Sequence, residues 1–448
     1  MLIRFVVENF LSFKHETEFN MLADNFRIHP HHLYKAKSLK ILKGSVIYGA
    51  NGAGKSNLIK SVGFFQNLVS TGKLSASVNP KKFKLDPGNA GKPVNFEIEF
   101  YFKRKIYHYG VQLNDRTVEN EWLYISGVTT ADKMIFERKT LENGKSKIKF
   151  NAKFLKTPKD KLLVQLLEQQ LLQHDELLLN KYNILKQIDI SNVRFWIKKN
   201  LKIIYPKSKF IGLVPFLSDS KVKHFTNNLL QSMQVGANGL DILNIPFDSF
   251  FGIDDEEFKL NLQNDLNENK KEIIFTRNDE YFVATKEDKK YFVKKIVAEH
   301  INKNKEKINF DLTEESDGTR RLLDFIPAFY QILNEDVTFF IDEIDQSIHP
   351  ALLYELVKKI MNEPRTKGQL IFTTHESNLL DLNIFRQDEI WFAEKNDEGA
   401  TELYSLSEFR PRPDLDLRKG YLKGRFGAIP FTGDLKNLDW NDAKKTRV

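Results

Sequence analysis

The chain has no cysteine among its 448 residues. That removes disulfides, thiolate zinc sites, iron–sulfur clusters and cysteine nucleophiles, and it fits the reducing cytoplasm expected for this chain. No apolar run approaches the roughly 18 residues that a membrane helix needs, so no membrane role is expected. The opening residues, Met1 to Glu8, read as an amphipathic strand broken by charges, where a secretory signal would need a continuous apolar core. Internal repeats and low-complexity tracts are also lacking. What is present, 41% hydrophobic and 29% charged residues, is the composition of a globular protein with one large or two medium domains.

Positive charge is in excess by 8, from 68 basic and 60 acidic residues, and the excess is local. Lys139 to Lys161 carries a net +6, Arg194 to Lys209 another +6, and the remainder is −4. Arg194, Lys198, Lys199 and Lys202 recur at spacings of three to four, which predicts a basic stripe on one helix face, with Phe195, Trp196 and Ile197 turned partly towards the core. Such a stripe is either a solvated face or a dock for an acidic partner or a nucleic-acid backbone.

Along the chain, two strands are predicted at Leu2–Phe10 and Glu16–Met21, then a histidine-rich stretch. His29, His31 and His32 are read there as solvated loop imidazoles, because no carboxylate pattern accompanies them. Ser45–Tyr48 is a short buried strand, and a helix runs from Lys55 to about Val69. Phe96, Ile98, Phe100 and Phe102 alternate, opening an antiparallel meander that continues to Ile125, with a further strand at Met134–Arg138. After Pro158 the period becomes helical: Leu163 to Leu171, Val193 to Ile204 and Lys221 to Met233. The expected division is an N-terminal lobe over 1–154, a helical insertion arm over 155–235 and a C-terminal lobe over 236–448. Short strands between Glu272 and Val297 precede alternating helix (Thr319–Leu333), strand (Val337–Ile341), helix (Ala351–Met361) and strand (Gln369–Phe372), the order of parallel strands with helical crossovers. Gln387–Glu394 and Ala400–Ser405 close as strands, and the tail after Arg410 is rich in proline and basic residues.

Gly49-Ala50-Asn51-Gly52-Ala53-Gly54-Lys55-Ser56 has the spacing of a phosphate-binding loop. Its glycines let backbone N–H groups curl around phosphates, and the following helix N-terminus adds partial positive charge. Lys55 can reach the β- and γ-phosphates, and the Ser56 hydroxyl can ligate Mg²⁺. Val337 to Ile341 reads as a fully apolar strand ending in Asp342 and Glu343. Its carboxyl end is where a parallel sheet binds ligands, so Asp342 is a candidate metal holder and Glu343 a candidate base for an attacking water. Gln369 to Thr374 is a second buried strand, ending at His375, which is placed to donate to a γ-phosphate or to that water. Before the Asp342 strand, Ser316-Asp317-Gly318 opens a helix. Ser316 is a good N-cap in its own right, and a capped helix end is also where a phosphate sits.

Seven stretches then bring a resemblance: LIRFVVENFLSF, IYGANGAGKSNLIK, ESDGTRRLLDFIP, FFIDEIDQSIHPALL, LIFTTHESNLLD, QDEIWFAEKNDEGATELYSLSEF and KGYLKGRFGAIPF. Together the chain resembles the bacterial OLD-like, ABC-type AAA ATPases, a group that includes abortive-infection and restriction-locus-linked proteins and the ATPase of the PARIS anti-phage system. Glu315 to Arg321 looks like the short signature motif of that group, and Asp345 to Pro350 like its D-loop. The resemblance implies an α/β ABC-type ATPase head, a P-loop NTPase with an antiparallel β-subdomain and a helical insertion. It implies hydrolysis of ATP with Mg²⁺. Gly49 to Asn57 and Ser316 to Gly318 would bind nucleotide, Ser56 and Asp342 the metal, and Glu343 and His375 would carry the chemistry. The nucleotide would lie between two copies, in a homodimer or higher homo-oligomer. A separate effector, often a TOPRIM-type nuclease, and a nucleic-acid or phage-protein trigger would complete the system. Asp317 stands where transporters of the wider class carry glycine, and no Q-loop glutamine is found, Gln66 lying on the helix after the loop. An SMC-like DNA-repair or DNA-maintenance ATPase is the alternative, although residues 155–235 are too few for its long coiled coil. A stand-alone nuclease or toxin would need a second carboxylate constellation, which the chain lacks.

Overall fold

The computed structural model describes residues 1–268, 271–278, 280–412 and 415–429. The last two residues of the resembling stretch 419–431, and most of the proline- and base-rich tail, lie outside the described residues. The chain forms two compact units. The first contains Met1–Ile204, Val337–Glu343 and the chain from Gln369 onward; the second contains Tyr205–Asp336 and Ile344–Gly368. The boundary at Ile204 falls inside the stretch read as one helical insertion: residues 155–204 fold with the first unit and 205–235 with the second.

The first unit holds two large sheets. One is antiparallel, in the order β10 (Ser146–Phe150), β9 (Lys133–Thr140), β8 (Thr117–Ser126), β7 (Lys105–Asn114), β6 (Val94–Phe102), β1 (Leu2–Glu8), β2 (Thr17–Asn20). The alternation read from Phe96 to Phe102 is its inward face, all four residues being buried. The other sheet runs β11 (Leu201–Ile204), β17 (Thr338–Ile341), β18 (Gln369–Thr373), β5 (Gly44–Gly49), β19 (Ile390–Lys395), β20 (Thr401–Ser405). All neighbours are parallel except β19 and β20. Every residue of β5, β17 and β18 is buried, which is why these strands read as continuous apolar runs. A hairpin of β3 (Leu33–Ala36) and β4 (Leu39–Leu42) completes the unit.

The helix Lys55–Thr71 buries Leu58, Ile59, Val62, Phe65, Leu68 and Val69, one stripe at helical spacing. Phe65 meets Phe5, Phe96 and Tyr109 of the antiparallel sheet at ring distances of 5.8–6.0 Å. Burying one such ring is worth about 1.5–3 kcal/mol. Gln369 staples the two sheets: its Oε1 accepts from Leu2 N (2.5 Å) and Thr338 Oγ1 (2.7 Å), and its Nε2 donates to the carbonyls of Leu2 and Leu42. Gln66 has a structural task of the same kind, donating to the carbonyls of Ile197 and Leu201.

Three expectations are corrected in this unit. Val193–Ile204 is not one helix: a helix Ile188–Phe195 continues as a wider turn over Trp196–Asn200, and Leu201–Ile204 becomes β11. Its β-branched Ile203 and Ile204 pair in parallel with β17, a long-range gain that local periodicity does not register. The basic stripe therefore does not share one helix face. Lys202 sits on a strand over the ring of Phe339, and Arg194 stacks on Tyr182 while donating to Asn180. Trp196 and Ile197 are buried as expected, but Phe195 is 52% exposed. Finally, the histidines are not solvated in a loop. His32 is buried, and its Nδ1 lies 2.9–3.0 Å from both oxygens of the buried Glu389, whose carboxyl burial pushes well above the usual range.

The second unit is built on an antiparallel sheet of β12 (Gly239–Pro246), β15 (Lys290–Ile301), β14 (Glu280–Glu287) and β13 (Glu272–Arg277), with β16 (Lys307–Asp311) on the far half of β15. Leu213, Leu217 and Val222 pack with Leu240, Ile296, Leu323 and Ile326, so the helices Ser220–Met233 and Asp317–Asn334 share one core with the sheet. Among the described residues no helix is long and apolar enough to cross a membrane. The expected class, α/β with an antiparallel β-subdomain, is what these sheets form.

Candidate functional site

In the first unit β5, β17 and β18 are adjacent and parallel, so their carboxyl ends share one edge of the sheet. Gly49 to Ser56 leaves β5 there, Asp342 and Glu343 follow β17, and Thr373 ends β18. The topology thus assembles what lies almost 300 positions apart in sequence. Ser56 Oγ donates to Asp342 Oδ1 across 3.0 Å, and Thr373 Oγ1 donates to the same oxygen across 2.7 Å. The Thr373 hydroxyl also accepts from the backbone N–H of Glu343, at 2.8 Å. One hydroxyl therefore fixes the carboxylate of one acid and the backbone of the next. Asp342 is 2% exposed, and its own N–H donates to Ile204 O of β11 (2.9 Å).

Glu343 is half-buried and has φ +52°, the left-handed region that a residue with a Cβ adopts at a cost of about 1–3 kcal/mol. The bond to Thr373 is one of the contacts that hold it there. His375 lies two residues past the end of β18 and is exposed.

The loop itself is curled tightly. Lys55 is buried, and its Nζ donates to the carbonyls of Gly49 (2.7 Å) and Ala50 (3.2 Å), which holds the ammonium over the loop. Asn51 and Gly52 are exposed at its tip. Gly54 has φ +116°, and a Cβ there would lie 2.1 Å from Thr401 Oγ1, so glycine is required twice over. That close approach is a brace. Thr401 Oγ1 donates to Ala53 O (2.8 Å) and lies 2.8 Å from Ser12 Oγ, which accepts from Asn57 Nδ2 (2.8 Å). Asn57, expected beside the nucleotide, has its side-chain amide engaged in this brace.

Ser316, Asp317 and Gly318 lie in the second unit, at the start of the helix Asp317–Asn334. Ser316 is the N-cap: its Oγ accepts from Thr319 N at 3.1 Å and lies 2.9 Å from Thr319 Oγ1. Asp317 pairs with Arg320 one turn on, and both are exposed. A Cβ on Gly318 would lie 2.8 Å from Ser347 O, so the signature and the D-loop touch through backbone. Arg321, buried, donates to the carbonyls of Ser208 (3.1 Å) and Tyr205 (3.2 Å) and anchors the start of the unit to this helix.

Sequence reasoning missed Thr373, Ser12 and Thr401. Thr373 stood inside the strand already read for His375, and a hydroxyl at the last position of a buried strand was the available signal. Ser12 and Thr401 carried none, being 389 positions apart.

Hydroxyls and a buried carboxylate side by side, a lysine held over a glycine-rich turn at a helix N-terminus, and an acid in strained backbone beside them suit, by their chemistry, a phosphorylated ligand with a divalent cation. Among curated proteins no relative matches the chain. Solved structures similar to it include an SMC head bound to the C-terminal winged-helix domain of ScpA (12% identity, TM-score 0.44, 90% of this chain and 97% of that one covered). Others are the SMC head domain from Thermotoga maritima (10%, 0.39, 90% and 98%) and an SMC head with an extended coiled coil, bound to the C-terminal domain of ScpA, derived from Pyrococcus furiosus (12%, 0.39, 92% and 99%). The sequence profile of the family described as "AAA domain, putative AbiEii toxin, Type IV TA system" matches residues 45–381, from the phosphate-loop strand past His375, and the chain belongs to this family of AAA ATPase domains.

Proposed function

We propose that the chain hydrolyses ATP to ADP and phosphate as an ABC-type ATPase, and that this cycle controls a separate effector, such as a nuclease, in anti-phage defence. The observation that carries the catalytic half is the hydrogen-bonded row Ser56–Asp342–Thr373–Glu343 behind the phosphate loop. Lys55 neutralises charge on the β- and γ-phosphates, and the loop N–H groups at the helix N-terminus add to it. Ser56 and Asp342 fit a magnesium ion by their chemistry, one neutral and one anionic oxygen donor on a fixed spacing, and when bound that ion supplies further charge neutralisation. Glu343 accepts the proton of the attacking water, with its backbone set by Thr373. His375 donates to the γ-phosphate or to the water. Ser316 and the helix N-terminus behind it, from a second copy of the chain, would cover the phosphates, which makes a homodimer or higher homo-oligomer the working form. The exposed, self-capped start of the helix Asp317–Asn334 supports that role.

The defence reading rests on the resemblance across the chain, and the family description, which names a toxin of a type IV toxin–antitoxin system, supports it. The test is infection of cells carrying the chain with its neighbouring genes, wild type against Glu343→Gln. Protection lost in the variant while the purified variant still binds ATP supports an ATP-driven defence switch. Protection retained without hydrolysis limits the proposal to ATP binding, and no protection by the wild type removes the defence role while leaving the ATPase untouched.

A further inference from the structure

Three of the chain's ten histidines lie within four positions, His29-Pro30-His31-His32. His29 has φ +47°, Pro30 to His32 makes a single 3-10 turn, and His32 N donates to His29 O at 3.0 Å. This turn gathers all three rings. His29 and His32 stack at 4.7 Å and 15°, and His31 meets His32 edge-on at 4.5 Å. One ring nitrogen from each histidine lies within 4.8 Å of those of the other two.

The surroundings are those of metal-binding imidazoles. A ligating histidine donates its other ring N–H to a carboxylate or a backbone carbonyl, which fixes its tautomer and orientation. His29 Nε2 donates to Leu382 O at 2.7 Å, so Nδ1 is the nitrogen it would present. His32 Nδ1 faces both Glu389 oxygens at 2.9–3.0 Å, so Nε2 is the nitrogen it would present. Glu389 is itself positioned by the N–H of Arg386 (2.8 Å). Arg386 is fully buried. It grips Asp388 through two nitrogens and donates to the carbonyls of Asp24, Phe26 and Ile28, the segment leading directly into His29. The histidine turn is thus held from behind by a built network.

We propose that His29, His31 and His32 bind one divalent transition-metal ion of the zinc class, with Glu389 and Leu382 O as the groups that orient two of the ligands. Three neutral nitrogen donors select against magnesium and calcium, which take oxygen, and suit zinc with a fourth position filled by water. The ion would fix the 29–32 turn, which Leu382 O and Glu389, both between β18 and β19, hold from behind. It is independent of the ATPase reading.

The experiment uses the full chain with its affinity tag removed, stripped by chelator, dialysed against dilute ZnCl₂ and assayed by elemental analysis. One zinc per chain is expected. His31→Gln, at a half-buried ring, should abolish retention, and Glu389→Gln should weaken it about 10–100-fold. Should His31→Gln fail to fold by circular dichroism, His29→Gln carries the same test. Cobalt(II) in place of zinc should give the intense visible bands of a tetrahedral site, bleached by added zinc. Asp342→Asn should leave zinc retention unchanged. Wild-type chain retaining no more zinc than the histidine variant overturns the proposal, and so does zinc lost in Asp342→Asn, which would move the ion to the phosphate-loop site.

Discussion

At the phosphate-loop end of the first unit, Lys55, Ser56, Asp342, Asn57 and the Glu343 backbone are each hydrogen-bonded to another element of that unit. At the signature end of the second unit, Ser316 caps its own helix and Asp317 pairs with its own Arg320, one turn away, in the open. The first arrangement is set before any ligand arrives, so binding there costs little reorganisation. The second satisfies itself locally and leaves its helix N-terminus facing outward. That difference is what the proposed sharing of one ligand between two copies calls for.

The sharpest way to separate the two regions is Glu343→Gln. Hydrolysis should fall about 10²–10⁴-fold while ATP affinity, measured by calorimetry, stays near wild type, because the amide keeps the shape and loses the base. Lys55→Ala should instead lose much of the binding; equal loss of affinity in both variants would contradict the separate roles of base and phosphate ligand. Next in size is Thr373→Val. Removing the hydroxyl leaves Glu343 N without its acceptor, so the unit should lose about 1–3 kcal/mol in denaturant unfolding. Turnover should fall about 10–100-fold, with the loss eased by raised Mg²⁺. Thr373→Ser should restore both, whereas a failure of serine to rescue would show that the methyl packing mattered and not the latch.

A smaller effect tests sharing itself. Mixing a Lys55→Ala chain with a Ser316→Arg chain should return about half the wild-type rate per mixed dimer, since one of two composite sites is intact. No activity in proven mixed dimers would confine the site to one chain. The smallest expected change is the cap: Ser316→Ala should cost the second unit about 0.5–2 kcal/mol, and Ser316→Gly only a few tenths. If glycine restores stability but not hydrolysis, the hydroxyl acts beyond capping its helix.

The legible parts of this molecule were those with a local period or a fixed spacing. The loop from Gly49 to Ser56, the buried runs of β17 and β18 and the alternation of β6 each state their geometry within ten residues. Leu201 to Ile204 did not, because four residues with apolar ends satisfy both periods, and its partner β17 lies more than a hundred positions on. The histidine turn shows the same limit in side chains. Its three imidazoles stood together in the sequence, but the carboxylate that orients His32 comes from Glu389, 357 positions away. Thr373 was visible as a residue and invisible as a latch, since its role depends on β17 and β18 being neighbours.

The position of β5 has a consequence for how the chain is made. Its two neighbours, β18 and β19, are synthesised about 325 and about 345 residues after it. At about 5–20 residues per second, the strand that carries the phosphate loop waits on the order of 15–60 s for its pairing partners to be translated. The antiparallel sheet, drawn from residues 2–150, needs no such delay, although its bond to Gln369 comes late. Synthesis therefore passes through a stage in which a strand buried in the finished unit has neither sheet neighbour, and the phosphate-loop strand is flanked on both sides only once β18 and β19 have left the ribosome.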